Sequence, residues 1–147
     1  VTVQAQVLDL LRGLVRELGT AVILVTHDLG VVAEMCDRVL VLYGGKVMEA
    51  APVEPLFADP AHPYTRGLLD STPDLEGRDG ELRVIPGQPR AASGDLPGCP
   101  FAPRCERRVE ACTAQMPPLL PARDAVGRVV ACHRPLPQPA AVPEMVP

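Results

Sequence analysis

The sequence predicts an α/β unit followed by an irregular extension rich in cysteine and proline. Three observations carry that expectation. Helix-like and strand-like apolar patterns alternate over residues 1–51, as they do in α/β folds. All eighteen prolines lie at position 52 or beyond, and four of the five cysteines at position 99 or beyond. Proline removes a backbone donor and fixes φ, so beyond Ala51 sheet ladders should give way to short helices, turns and extended stretches. The expected organisation is 1–51 as the α/β portion, 52–98 as short helices and a linker, 99–133 as a four-cysteine module, and 134–147 as a disordered end.

Val3, Val7, Leu10, Leu11, Leu14 and Leu18 recur at helical spacing and predict an amphipathic helix packed on a sheet, closed by Gly19 as a C-cap. Ala21-Val22-Ile23-Leu24-Val25 is continuously apolar and largely β-branched, which suits a parallel strand covered on both faces. Asp28 reads as the N-cap of a short helix over 29–36, and residues 38–43 as the next strand. Gly44-Gly45 tolerates the positive φ of a tight hairpin, so residues 46–49 can return as its partner. Ala50-Ala51 then precedes Pro52, and an alanine there predicts an altered exit from the strand. Short helices are expected around Pro55-Leu56-Phe57 and over 63–69, with Pro63 at a first helical position. Residues 72–98 show no periodicity and read as a linker.

At 147 residues and 47% hydrophobic, the chain can form one unit plus an appendage. It opens on Val1 directly into a helical pattern, so its start reads as a cut and the chain as part of a longer protein. The run Ala21 to Val25 is far too short to cross a bilayer, which needs about 20 apolar residues. A formal charge of -4 gives no counterion-release drive toward nucleic acid and no polybasic patch for membranes.

His27 follows the predicted buried strand at the edge where open α/β sheets place ligands, and an imidazole there can donate to a phosphate oxygen. The plainer reading is a loop histidine beside the cap Asp28. The stretch from Thr20 through Thr26-His27-Asp28, Cys36-Asp37-Arg38 and Gly44-Gly45-Lys46-Val47 resembles the switch-histidine region of ABC transporter ATPases. The opening Val1-Thr2-Val3-Gln4-Ala5-Gln6-Val7 resembles the segment after the D-loop in their peptide and nickel importer branch. The resemblance implies the distal part of an ABC-type P-loop ATPase domain, with His27 catalytic as a sensor of the γ-phosphate of ATP. ATP and Mg²⁺ are the implied cofactors. No Gly-x-x-x-x-Gly-Lys-Ser/Thr loop occurs in the sequence, so the phosphate cradle is absent and the chain alone is expected to be inactive.

Cys99, Cys105, Cys112 and Cys132 are separated by five, six and nineteen residues. Structural zinc prefers two tighter knuckles, whereas an iron–sulfur cluster tolerates wider spacing in an irregular loop. Disulfides are disfavoured in a chain without an export signal. Metal-free thiols and zinc stay as alternatives. Cys36 stands apart and reads as an inert thiol. His62 and His133 could each be offered as a ligand but read first as turn or packing residues, and Arg104, Arg107 and Arg108 either offset the charge of a cluster or, by default, solvate the surface. The words His62-Pro63-Tyr64, Pro86-Gly87-Gln88-Pro89, Gly98-Cys99-Pro100-Phe101 and Ala131-Cys132-His133 resemble the C-terminal extension of oligopeptide and dipeptide importer ATPases. That resemblance implies a 4Fe-4S cluster on the four tail cysteines.

For the parent protein the resemblance further implies a second ABC ATPase subunit, two membrane permease subunits and, indirectly, an extracytoplasmic substrate-binding protein as partners. Nucleic acid is not among them. The implied place is peripheral, on the cytoplasmic face of the plasma membrane. The rival expectation is a non-hydrolysing iron–sulfur or zinc-binding regulatory module derived from such a subunit.

Overall fold

A computed structural model describes residues 3–72, 84–88, 97–122 and 126–137. The chain divides into two compact units, Val1–Asp37 and Arg38–Pro147. The step in proline content after Ala51 therefore falls inside the second unit. Most of the expected linker and, beyond residue 137, the proline-rich end lie outside the described residues.

In the first unit, α1 (Val3–Leu18) and α2 (Leu29–Met35) form where the apolar spacing and the Asp28 cap predict them. Gly19 adopts φ 59° and its N–H donates to Val15 O at 3.0 Å, ending α1. Arg12 bridges Asp9 at 3.1 Å and Glu34 at 2.6 Å, and Gln4 donates to Asp28 at 3.2 Å, so polar contacts join the two helices. Two expectations are corrected. Residues 21–25 form no strand, and Ile23 and Val25 are each 93% exposed. The apolar face of α1 is formed but not buried, since Val3, Val7, Leu10, Leu14 and Leu18 remain exposed. Both have one cause: a parallel strand needs neighbours for its amides and carbonyls, and the described residues of this unit contain no other strand.

The second unit is organised by an antiparallel hairpin of β1 (Arg38–Tyr43) and β2 (Lys46–Pro52). Gly44 and Gly45 take φ 56° and 76° in the two-residue turn, the left-handed region that such hairpins require. A register shift between Val41 and Leu42 accommodates one extra residue of β2 opposite them. β2 runs on through Ala50-Ala51 to Pro52 instead of ending near Glu49, because the start of β1 pairs with it there, Arg38 opposite Pro52 and Val39 opposite Ala51; on its other edge Glu49 and Ala50 pair with β4 (Val129–Val130), which in turn pairs with β3 (Leu120–Pro121). The sheet order is β1-β2-β4-β3.

Helices α3 (Val53–Ala58) and α4 (Pro63–Asp70) follow, the latter with Pro63 in its first turn. Val41, Ala51 and Leu56 form one buried cluster, against which Phe57 and Leu68 pack. Tyr43, Met48 and Phe101 form another, and Tyr64 touches both. Tyr43 stacks edge-on against Tyr64 and Phe101, with ring centroids 4.7 and 5.4 Å apart. Beyond this core the described residues are irregular, with a 3₁₀ turn (Ala102–Arg104) and a short helix, α5 (Ala111–Ala114).

Candidate functional site

The turn that carries His62 is held by a polar frame that the sequence does not announce. Glu49 projects from β2 into the interior, where Oε1 accepts from Ala61 N–H at 2.8 Å and Oε2 from His62 N–H at 2.9 Å. Arg128, also buried, brings its guanidinium to 4.0 Å from Glu49 and donates to the carbonyls of Asp59, at 2.7 Å, and of Pro55. A charge taken out of water needs such partners, and here they fix the turn that presents His62. His62 then caps α4, its Nδ1 accepting from Tyr64 N–H at 3.0 Å. Burial pushes its pKa down to about 4.

Against this frame, Cys99, Cys105, Cys112 and Cys132 come together on one cavity, which His62, Arg107 and His133 also line. The loops are stitched by Cys99 N–H donating to Cys112 O at 2.8 Å and Met116 N–H to Pro97 O at 2.8 Å. Gly98 makes the approach: a Cβ there would lie 2.3 Å from Cys112 O. All four cysteines are free thiols. Burial pushes the thiol of Cys132 up to about 11, and the charges the other three cysteines would carry add to it. Cys99 and Cys105 are raised for the same two reasons, in part opposed by backbone hydrogen bonds and, at Cys105, by Arg107.

The donor set can be tested against the groups proposed for it. Among the described residues no three His, Cys, Asp or Glu side chains converge as ligands of a single metal ion. A cluster binds each thiolate to a different iron, so its thiols surround a volume and need not meet at a point. Four thiols around one cavity fit that requirement. So does Arg107, whose Nε is buried there without a hydrogen-bond partner, because thiolate-bound clusters carry negative charge. The enclosed space is about 10 Å³, room for about one water, so a four-iron cluster would require the cysteine-bearing segments to part.

Two arginines expected at the surface have other places. Arg104 donates to Pro86 O and Ile85 O, both at 2.9 Å, and to the Tyr43 hydroxyl at 3.3 Å, tying residues 85–86 to the end of β1. Arg107 lines the cavity; Arg108 is exposed. His133 is exposed at the cavity rim, its Nε2 2.9 Å from Gln115 O.

His27 lies in the first unit, exposed, just after the apolar run and Thr26. The turn around it is ordered by its neighbours: Asp28 N–H donates to Thr26 Oγ1 at 3.0 Å, and Asp28 Oδ1 accepts from Val31 N–H at 3.2 Å. The Val31 amide, then Gln4, hold the Asp28 carboxyl below its usual range. His27 is thus fixed in sequence next to a cap while its ring is open to solvent. Cys36 sits half-buried at the end of α2, its thiol raised by burial.

Residues 48–112 match the family model described as the oligopeptide/dipeptide transporter, C-terminal region. The chain is 46% identical over 132 residues to the oligopeptide transport ATP-binding protein AppD of Bacillus subtilis, covering 90% of this chain and 40% of that protein. It is 46% identical to OppD of Salmonella typhimurium over 92% of this chain and 40% of that protein. With OppD of Haemophilus influenzae it shares 50% identity over 76% of this chain and 35% of that protein. The chain thus spans about 40% of the length of these first relatives. No helix among the described residues is long and apolar enough to cross a membrane. By these matches the chain belongs with the oligopeptide/dipeptide ABC transporter ATP-binding proteins and corresponds to the C-terminal part of such a subunit.

Proposed function

We propose that the chain acts as the distal part of an ATP-hydrolysing subunit in an importer of peptides or related small solutes, peripheral on the cytoplasmic face of the plasma membrane. The observation that carries this reading is the 46% identity over 132 residues, which reaches into both units. Its partners are a second ATPase subunit and two membrane permease subunits, with an extracytoplasmic substrate-binding protein selecting the cargo. The sequence holds no Gly-x-x-x-x-Gly-Lys-Ser/Thr loop, so these 147 residues do not make a site for ATP and Mg²⁺ and no step of hydrolysis is assigned to them alone.

What this chain adds is His27. Phosphoryl transfer is accelerated by donors placed around the transferring oxygens, and a solvent-open imidazole braced by the Thr26–Asp28 turn can be such a donor to the γ-phosphate. The purified chain is expected to show no ATP turnover above background. In an ATP-hydrolysing subunit carrying this segment, His27→Ala should lower kcat about 100-fold or more, with KM for ATP little changed. An unchanged kcat removes His27 from the chemistry.

Cys99, Cys105, Cys112 and Cys132 are proposed to hold a 4Fe-4S cluster, supported by their common cavity and the orphaned Arg107 donor. When bound, it would crosslink the Cys99–Cys105 segment, α5 and the chain at Cys132 in a region with few aromatic side chains to build a core. Anaerobic purification should give brown protein with about four irons and four sulfides per chain; a colourless protein with stoichiometric zinc overturns the cluster. The alternative reading is a metal-binding regulatory module without hydrolysis. ATP-dependent pairing with a second ATPase subunit argues against it, and a metal-loaded chain that never pairs argues for it.

A further inference from the structure

In the closed arrangement the four thiols line a space that holds about one water, and thiol–disulfide exchange is chemistry they can carry out there without a metal. The backbone decides which two can join. Cys99 N–H donates to Cys112 O at 2.8 Å and Met116 N–H to Pro97 O at 2.8 Å, so the chain at 97–99 is tied to α5 and to the stretch just after it. Gly98 lets the two strands of chain touch: a Cβ there would lie 2.3 Å from Cys112 O and 2.6 Å from Thr113 O. With standard bond lengths, the 2.8 Å hydrogen bond leaves the Cα atoms of Cys99 and Cys112 no more than about 6.7 Å apart. A disulfide spans Cα separations up to about 6.8 Å. Both side chains line the same small cavity. Cys105 is held instead by its own 3₁₀ turn, through Ala102 O at 3.3 Å, and Cys132 follows Ala131, whose N–H donates to Met48 O at 2.8 Å. Among the described residues, no backbone hydrogen bond joins either of them to another cysteine.

We infer that Cys99 and Cys112 are a redox-active thiol pair, which closes to a disulfide by exchange with a small-molecule disulfide such as oxidised glutathione. Cys99 is partly exposed and Cys112 buried, which sets the order of events. The Cys99 thiolate attacks one sulfur of the oxidant, breaking its S–S bond and releasing one glutathione thiolate. The Cys112 thiolate then attacks the Cys99 sulfur of that mixed disulfide and releases the second. Two protein thiols are oxidised, one glutathione disulfide is reduced to two thiols, and the two protons lost by the cysteines pass to the leaving thiolates. Reversible disulfides of this redox-sensing kind are the ones that occur in reducing compartments. Closing the pair withdraws two of the four sulfurs, so oxidation would switch off metal binding through four thiolates. Only that consequence rests on the cluster proposed above.

Iron, sulfide and zinc measured on the chain as purified test the cluster reading by itself. The chain is then freed of metal with EDTA and dithiothreitol, incubated without oxygen in oxidised glutathione, and mapped by peptide mass spectrometry without reduction. The Cys99–Cys112 link should exceed every other pairing about tenfold or more, because only that pair is held within disulfide reach by a backbone bond. Cys112→Ser should stop at a glutathione adduct on Cys99. No link in the wild-type chain, or a link that prefers Cys105 or Cys132, overturns the inference. The same oxidation in urea gives the pairings of an unfolded chain. A native map that matches the urea map also overturns it, since the fold would then not be selecting the pair.

Discussion

The carboxylate of Glu49 holds the amides of residues 61 and 62 and stands beside the buried guanidinium of Arg128. Glu49→Ala would leave two amides without acceptors and remove the carboxylate beside the buried Arg128 guanidinium, a loss that costs about 3–5 kcal/mol. Urea denaturation should show that loss, whereas Glu54→Ala, on the outer face of α3, should change little. His62 supplies the pH dependence. Burial lowers its folded pKa from 6.5 to about 4, so below 6.5 the unfolded state binds the proton more readily. The stability linked to neutral His62 is therefore complete above pH 6.5 and lost as pH falls toward 4. Acid titration of stability should show this decline, and His62→Asn, which does not titrate, should remove it.

Whole elements differ in what anchors them. α1 has a clear apolar face that stays exposed, so Leu10→Glu should alter stability by no more than about 0.5 kcal/mol. Leu56, buried in α3 against Val41 and Ala51, should cost about 2–5 kcal/mol when truncated to alanine. Both values come from the same denaturation experiment, and equal costs would contradict the burial pattern. The loop at Gly98 is tighter still. A methyl group 2.3 Å from Cys112 O cannot be accommodated without breaking the Cys99–Cys112 tie, so Gly98→Ala should reduce iron incorporation several-fold as measured by iron per chain. Gly45, where a Cβ would meet nothing, tests strain alone: Gly45→Ala should leave iron content unchanged and cost about 1 kcal/mol, from its positive φ.

At the scale of the molecule, the two units differ in what their residues bury, and amide exchange should follow. α1 buries none of its residues, while β1 and β2 are flanked by buried clusters; amides of residues 3–18 should exchange orders of magnitude faster than those of 39–51. The elements set by local chemistry were legible in advance. Asp28 caps α2 because its oxygen reaches the Val31 amide, Gly44-Gly45 turns the hairpin because only glycine enters positive φ freely, and Pro63 opens α4 because its missing N–H is not needed there. The apolar run at 21–25 was legible as a strand sequence but not as a strand, since a ladder requires a neighbour that pattern cannot supply. The four cysteines of the proline-rich stretch could be singled out from sequence alone, and the fold brings them to one cavity. Tertiary structure decided what surrounds it. Glu49, His62 and Arg107 read as strand, turn and surface residues, and with Arg128 they become a buried frame and a cavity wall only when β2 pairs with β4 and carries distant loops together. Desolvation and hydrogen-bond partnership are properties of that assembled neighbourhood, not of any residue's place in the chain.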